Sequence, residues 1–333
     1  MRQGVSESRH ARARLPVRKV VLALAGLTVV IVAFVASYSS ALGRPSPVRI
    51  PVAVTGPPTV AGRLGTSPQL RVYPVANLTR ARTLVEDRAV DGALALPPAG
   101  PATLLVAGGG GRAVATVLTQ LGQQAAGARG DALTTTDVAP LSPADPNGTV
   151  EFYCVIFLGI GGAVGATVLG RILGPLRRPP DALARLGLVL AYAAVLSLIV
   201  TFCADIGYGA LAGHFWPLFL TLWLFVAAVC LAVSGVAARA GMAVTGLLIV
   251  VLVLFGNTSS GGAVPRPLLN GFYSALNPVL PQGAALSAVR GVQYFGGRGI
   301  GASLLCLAIW AAAGLLLGAA ALVRARQTAP AAS

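Results

Sequence analysis

Side chains able to do chemistry are few in this chain, and their spacing excludes more than it suggests. There are two histidines, His10 and His214, and four cysteines, Cys154, Cys203, Cys230 and Cys306. No Cys-x-x-Cys or Cys/His metal spacing is present, so neither a zinc site nor any other metal or cofactor is expected. All four cysteines lie inside apolar stretches and read as small apolar residues. Asp205 closes an apolar run and has His214 nine residues on. A carboxylate at membrane depth can couple protons or contact substrate; one at the end of a span can equally reach headgroups or water, helped here by Gly207 and Gly209. A Ser/His/Asp set is formally available through His214, but no Gly-x-Ser-x-Gly elbow accompanies it. No paired carboxylates share a helix face, and the chain reads as a non-enzyme. The glycines at 108–111 precede a helical stretch and could cradle a phosphate. They lack the Lys-Ser/Thr ending of a phosphate loop and read as a flexible turn.

The elements that must position these residues follow from composition. Of 333 residues, 55% are hydrophobic and 11% charged, and the mean hydropathy is +0.77. Soluble domains carry about a quarter charged residues, so lipid is the better solvent for most of this chain. The net charge of +15 does not point to nucleic acid. The basic residues fall mostly outside the apolar blocks, and no basic face carries interleaved aromatics.

Residues 1–19 are polar and basic, with Arg2, Arg9, Arg12, Arg14, Arg18 and Lys19. Residues 20–42 then run without a charge. That is longer than the apolar region of a signal peptide and long enough to span a bilayer. Ser39 and Ala41 form a small-residue pattern that could be cleaved; the length favours a retained anchor. Five further apolar blocks follow at 152–170, 186–204, 215–238, 240–255 and 299–323, the fourth extending through uncharged 256–262. Six spans put Arg171, Arg177, Arg178, Arg185, Arg239, Arg324 and Arg326 on the side of the basic N-terminus. The positive-inside rule makes that side cytoplasmic. The expected organisation is a cytoplasmic segment 1–19, a first span 20–42, an extracytoplasmic domain 43–150, a five-helix bundle 151–323 and a cytoplasmic tail 324–333, in the inner (plasma) membrane.

Within 43–150, strand-like runs at 48–54, 70–75, 92–96 and 102–107 alternate with helical stretches at 78–88, capped by Asn77, and 112–124. This predicts a small α/β domain. The connection 256–298 is too long for a hairpin. Prolines 265, 267, 278 and 281 break it, and 268–276 and 284–294 read as short amphipathic helices. It is either a re-entrant, gating segment or an interfacial loop anchored by Phe272, Tyr273 and Tyr294. Asp181 is placed to cap a short helix in the basic connection 173–186. Gly161 and Gly165, and Gly314 and Gly318, are four apart and suit close helix packing.

Three segments carry a resemblance. The first is Ala81-Arg-Thr-Leu-Val-Glu-Asp-Arg-Ala-Val-Asp-Gly-Ala-Leu-Ala-Leu-Pro-Pro98 with Thr103-Leu-Leu-Val-Ala107. The second is Thr136-Asp-Val-Ala-Pro140 with Asp145-Pro-Asn-Gly148. The third is Asn257-Thr-Ser-Ser-Gly-Gly-Ala-Val-Pro265 with Leu276-Asn-Pro-Val-Leu-Pro281 and Ala288-Val-Arg290. With the one-plus-five layout they resemble the membrane domain of type-2 ABC exporters, in the phage-infection-protein-like branch and its actinobacterial relatives of unassigned function. The resemblance covers nearly the whole chain. It implies a homodimeric permease that exports a hydrophobic or amphiphilic compound, such as a lipid, an envelope precursor or a drug. It implies an exit gate in 256–298 carrying Pro265, Asn270, Phe272, Tyr273, Asn277, Pro278, Pro281 and Arg290. It also implies an ATPase-docking connection at Arg177, Arg178, Asp181 and Arg185. There is no Gly-x-x-x-x-Gly-Lys-Ser/Thr loop, so ATP hydrolysis would need a separate subunit. The competing expectation is a non-transporting envelope scaffold that binds a partner through 43–150.

Overall fold

A computed structural model describes residues 17–43, 45, 47–98, 100–175 and 178–327. Arg2, Arg9, Arg12, Arg14, Arg177 and the tail beyond 327 lie outside the described residues.

The uncharged run that opens the chain forms α1 (Val17–Leu42). The domain after it is built as β1 (Ile50–Thr55), α2 (Pro58–Gly65), β2 (Leu70–Pro74), α3 (Leu78–Glu86), β3 (Gly92–Ala95), β4 (Ala102–Val106), α4 (Arg112–Gly127) and β5 (Leu133–Asp137). The sheet order is β2-β1-β3-β4-β5. β1 runs parallel to β2 and β3, β4 antiparallel to β3, and β5 parallel to β4. Asn77 caps α3 as its sequence position suggests: its Oδ1 accepts from the Arg80 amide at 2.8 Å. Two elements were not expected. β5 (Leu-Thr-Thr-Thr-Asp) is an edge strand exposed along most of its length, so it lacks the apolar alternation that marks a half-buried strand. α2 buries no residue and contains two glycines.

The sheet buries both faces. Ile50, Val52, Val54, Leu94, Leu104 and Val106 pack on Val114 and Leu118 of α4. Ala53, Ala93 and Leu105 pack on Ala81 and Val85 of α3. Neither half-core is closed by the domain alone: Val264, Leu268, Leu269 and Tyr273 join the first, and Phe295 joins the second. The domain therefore shares its hydrophobic interior with the connection 256–298.

The bundle consists of α5 (Val150–Leu173), α6 (Pro179–Phe202), α7 (Phe215–Val251), the single-turn α8 (Asn257–Ser259), α9 (Gly271–Leu276), α10 (Pro281–Phe295) and α11 (Gly301–Gln327). π-helical turns extend α6 over Cys203–Gly207 and join α7 to α8 over Leu252–Gly256. Among the described residues, five helices are long and apolar enough to cross a membrane: Leu24–Leu42, Val150–Leu173, Pro179–Gly207, Phe215–Ser259 and Gly301–Gln327. They mark a membrane protein.

The fourth of these runs for 45 residues, roughly 70 Å if straight. It is not straight. Gly241 has φ 80 and ψ 178, a region open essentially to glycine alone. Beyond the start of the run, Ala212 O accepts from Gln293 Nε2; beyond its end, Gly261 O accepts from Arg290 Nη1. The two donors are neighbours on α10, so the run folds back at Gly241 into two arms. The N-terminal arm seats Phe225, Val226 and Cys230 against Gly159 and Gly162 of α5. The C-terminal arm returns past Met242 and Thr245, beside Gly170 and Arg171, to Gly256 beside Gln282.

Candidate functional site at the junction of domain and bundle

The polar chemistry of the described residues concentrates where the domain meets the bundle. α10 is the centre of it. Pro281 opens the helix at a position where no amide partner is needed. Gly283 brings its backbone against the carbonyl of Asn277. Almost the whole helix is buried, including Gln282 and Arg290.

Arg290 faces Glu151, the first-turn acid of α5, with Nε donating to Oε1 at 3.1 Å. The two side chains are 8% and 0% exposed. Desolvating such a pair is costly unless further hydrogen bonds satisfy it. Arg290 supplies them: Nη1 donates to Gly261 O at 3.0 Å, and Nη2 lies 3.5 Å from Gly148 O and Gly262 O. One guanidinium thus ties α5, the turn before it and the turn after α8. Asn277 donates to the carbonyls of Ser259 and Ser260 at 2.7 and 2.9 Å. Gln282 donates to Leu252 O at 2.8 Å, a carbonyl in the π-turn. These side chains satisfy carbonyls around the π-turn and α8.

The domain docks on this core through short polar contacts. Arg88 donates to Ser287 O and Oγ at 2.9 and 3.0 Å and stacks over Phe295. Arg298 reaches Glu86 and Asp87 at 3.2 and 3.7 Å. Asp137 accepts from the Gly108 amide, and Gly109 lies under the ring of Tyr294, where a Cβ would collide with it. Asp145 accepts from the amides of Thr149 and Val150, each at 2.7 Å, and so holds the N-terminus of α5.

Between domain and bundle lies a cavity of about 520 Å³ whose walls include Arg49, Arg71, Arg88, Asp91, Arg266 and Arg290. A second, of about 630 Å³, is lined by Arg112, Asn147 and Gly262, and Arg290 and Pro265 border both. Burial pushes the Asp91 carboxyl up to about 6, against the pull of Arg88 and Arg266. Burial, and then the charge of Arg290, lowers Arg88. Burial, reinforced by Glu151 and Asp145, raises Tyr294.

The expected gate residues fall into two groups. Pro265, Tyr273, Asn277, Pro281 and Arg290 are buried, whereas Asn270, Phe272 and Pro278 are exposed. Asn270 caps α9 by accepting from the Tyr273 amide, and Tyr273 OH lies 2.8 Å from Ser37 Oγ of α1. Tyr273 and Tyr294 thus face protein, while Phe272 packs edge-on against Phe255 and Tyr273 with one face open. Asp205 accepts from the Gly213 amide at 3.3 Å and closes the turn before His214. Asp181 lies in the first turn of the long helix α6, where Arg178 occupies the cap position; no separate short helix forms. Arg185 donates to Gly174 O at 3.0 Å and lies on the same helix. A Cβ on Gly314 would run into Leu231 and one on Gly235 into Gly314; Gly161 and Gly165 lie under Leu196 and Tyr192; a Cβ on Gly318 would meet no neighbouring element within 4 Å among the described residues.

Glu151, Arg88, Gln282 and Ser287 were missed. Glu151 stands one residue before the apolar block that begins at Phe152, so a search for charges inside blocks passes over it. No family model, curated protein or solved structure matches the chain.

Proposed function

We propose that this chain is the permease subunit of an export system for a hydrophobic or amphiphilic compound. In this reading both arms of the Phe215–Ser259 run cross the bilayer, giving six spans with both termini cytoplasmic and the α/β domain outside. Two protomers pair through their bundles, and a separate ATPase docks on Arg178, Asp181 and Arg185. The segment α9–α10 is the gate on the domain side. The observation that carries the proposal is the placement of α10: a 15-residue helix wedged among α5, α7, α11 and the domain. It is held there by side chains that bond backbone carbonyls of its neighbours. Such bonds satisfy irregular backbone inside a bundle, and moving α10 would exchange several of them at once.

A scaffold reading has one observation in its favour. Three buried threonine hydroxyls of α6 and α7 bond within their own helix: Thr201 to Ser197 O, Thr221 to Pro217 O and Thr245 to Gly241 O. They do not line a polar path, although an amphiphile needs little of one.

Affinity purification from native membranes in mild detergent separates the two. The permease reading expects a co-purifying ATPase that is lost on changing Arg178 and Arg185 to Glu. Recovery of envelope proteins alone, bound through the α/β domain, would replace it with the scaffold.

A further inference from the structure

The cavity between the domain and α10 gathers five guanidinium groups from five places in the fold. Arg49 precedes β1, Arg71 lies in β2, Arg88 follows α3, Arg266 follows α8 and Arg290 lies in α10. Asp91 is the one carboxylate among the residues that line it. Arg290 has Glu151. Among the described residues, none of Arg49, Arg71, Arg88 and Arg266 lies within 4.0 Å of a carboxylate. Arginines on an open surface need no explanation, but Arg88 is partly buried and desolvated beside Arg290. The backbone adds an independent mark. Arg49 and Arg88, with φ 52 and 60, are the two non-glycine residues of positive φ among the described residues. Both line this cavity. Left-handed backbone at a residue without a turn-favouring side chain is costly and clusters at ligand sites.

We propose that this cavity binds a phosphate group carrying a small polar substituent: the phosphorylated head of an amphiphile or a soluble phosphate compound. Guanidinium forks match phosphate oxygens in pairs; with Arg290 neutralised by Glu151, the four arginines that have no carboxylate partner among the described residues call for more than one negative charge. A volume of about 520 Å³ falls within the range of small-molecule sites, about 300–1,000 Å³, and exceeds a lone anion. The lining is polar, so a hydrocarbon tail stays outside. Asp91 faces the same space with Arg88, Arg266, Arg49, Arg71 and Arg290 around it, and its Oδ2 is enclosed without a hydrogen-bond partner. It opposes the anion that the arginines attract. The inference rests on the junction being the working site and needs neither an ATPase nor export, so its failure is distinguishable from failure of the permease reading.

The test uses the full chain at low salt, where charge pairing is least screened. Pyrophosphate binding is titrated in a neutral detergent. Phosphatidic acid binding is measured in nanodiscs of an uncharged glycolipid, which carries no phosphate. Arg71→Gln, at an exposed position, is expected to weaken the bound probe about tenfold, the loss of one charge-assisted bond. Arg88→Gln should do at least as much, and Asp91→Asn should strengthen binding. Pyrophosphate binding with this pattern assigns a soluble phosphate, and phosphatidic acid binding with it assigns a lipid head. The proposal is overturned if neither probe binds, or if a bound probe is indifferent to both Arg71→Gln and Asp91→Asn.

Discussion

The two ends of the bundle solve one problem in different ways. At the domain end, helices and turns are held by long-range polar contacts: Arg290 with Glu151, Asn277 with Ser259 and Ser260, Gln282 with Leu252. At the far end they are held by contact of backbone with backbone, where Gly314 of α11 lies against Leu231 and Gly235 of α7. The far end has basic residues too, Arg171 and Arg185 lining a cavity there, but Asp181 is the sole described carboxylate on its connection. Small residues suit helices that stay together, because removing a Cβ lets dispersion contacts form over a long seam. Directed hydrogen bonds suit a place with two alternative arrangements, since each bond can be exchanged for another. The difference sets backbone packing at the far end against directed polar contacts at the junction.

The largest test of that contrast is the buried ion pair. Glu151→Ala or Arg290→Ala alone should cost about 3–5 kcal/mol, because the partner is left as an uncompensated buried charge. Glu151→Leu with Arg290→Met should recover most of it. Thermal unfolding in detergent reads both; single variants as stable as wild type would remove the junction's polar lock. Next comes the far end. Gly314→Val should cost about 3 kcal/mol by forcing α11 off α7, while Gly318→Val, in open space, should stay within about 0.5 kcal/mol. Equal effects would mean that the seam is not the glycine contact. Asn277→Ala should cost about 2 kcal/mol through two carbonyls left unsatisfied. The smallest effect is one of pH. Asp91 carries a negative charge above about 6 and loses it as pH falls through that value. Asp91→Asn should therefore bind pyrophosphate more tightly than wild type at pH 7.5, and the two should converge near pH 5. A constant ratio would take Asp91 out of the cavity's charge balance.

Much of the fold was legible because its signals are local. Uncharged runs of span length marked the helices, and Asn77 marked the start of α3. The α/β character followed from alternating short runs, but β5 escaped because an edge strand of threonines has no buried face to announce. The site was legible only in part. Pro265, Asn277, Pro281 and Arg290 were singled out, yet their partners were not, since Glu151 lies 139 positions from Arg290 and nothing in either neighbourhood points to the other. The glycines at 108–111 read as a loose turn and instead form the surface on which Tyr294 and Pro265 rest. A glycine run looks the same in sequence whether it is absent of contact or crowded by it.

Gly241 has a consequence for how the chain enters a bilayer. Its two arms are joined by one residue, with no hydrophilic loop to halt one arm before the next is delivered. In the six-span reading proposed above, insertion treats 215–259 as a single hairpin. The space around Gly241 is open, so at the bend itself the backbone angles of Gly241 allow the reversal that the packing of the two arms then holds. A residue with a Cβ there would favour continuing the helix, leaving one rod of roughly 70 Å where the hydrocarbon is about 30 Å thick. In the same six-span reading, α9 and α10 would then lie on the opposite side of the membrane and α11 would cross it in the reverse direction. The sidedness of more than a quarter of the chain rests, in that reading, on the positive-φ backbone of one glycine.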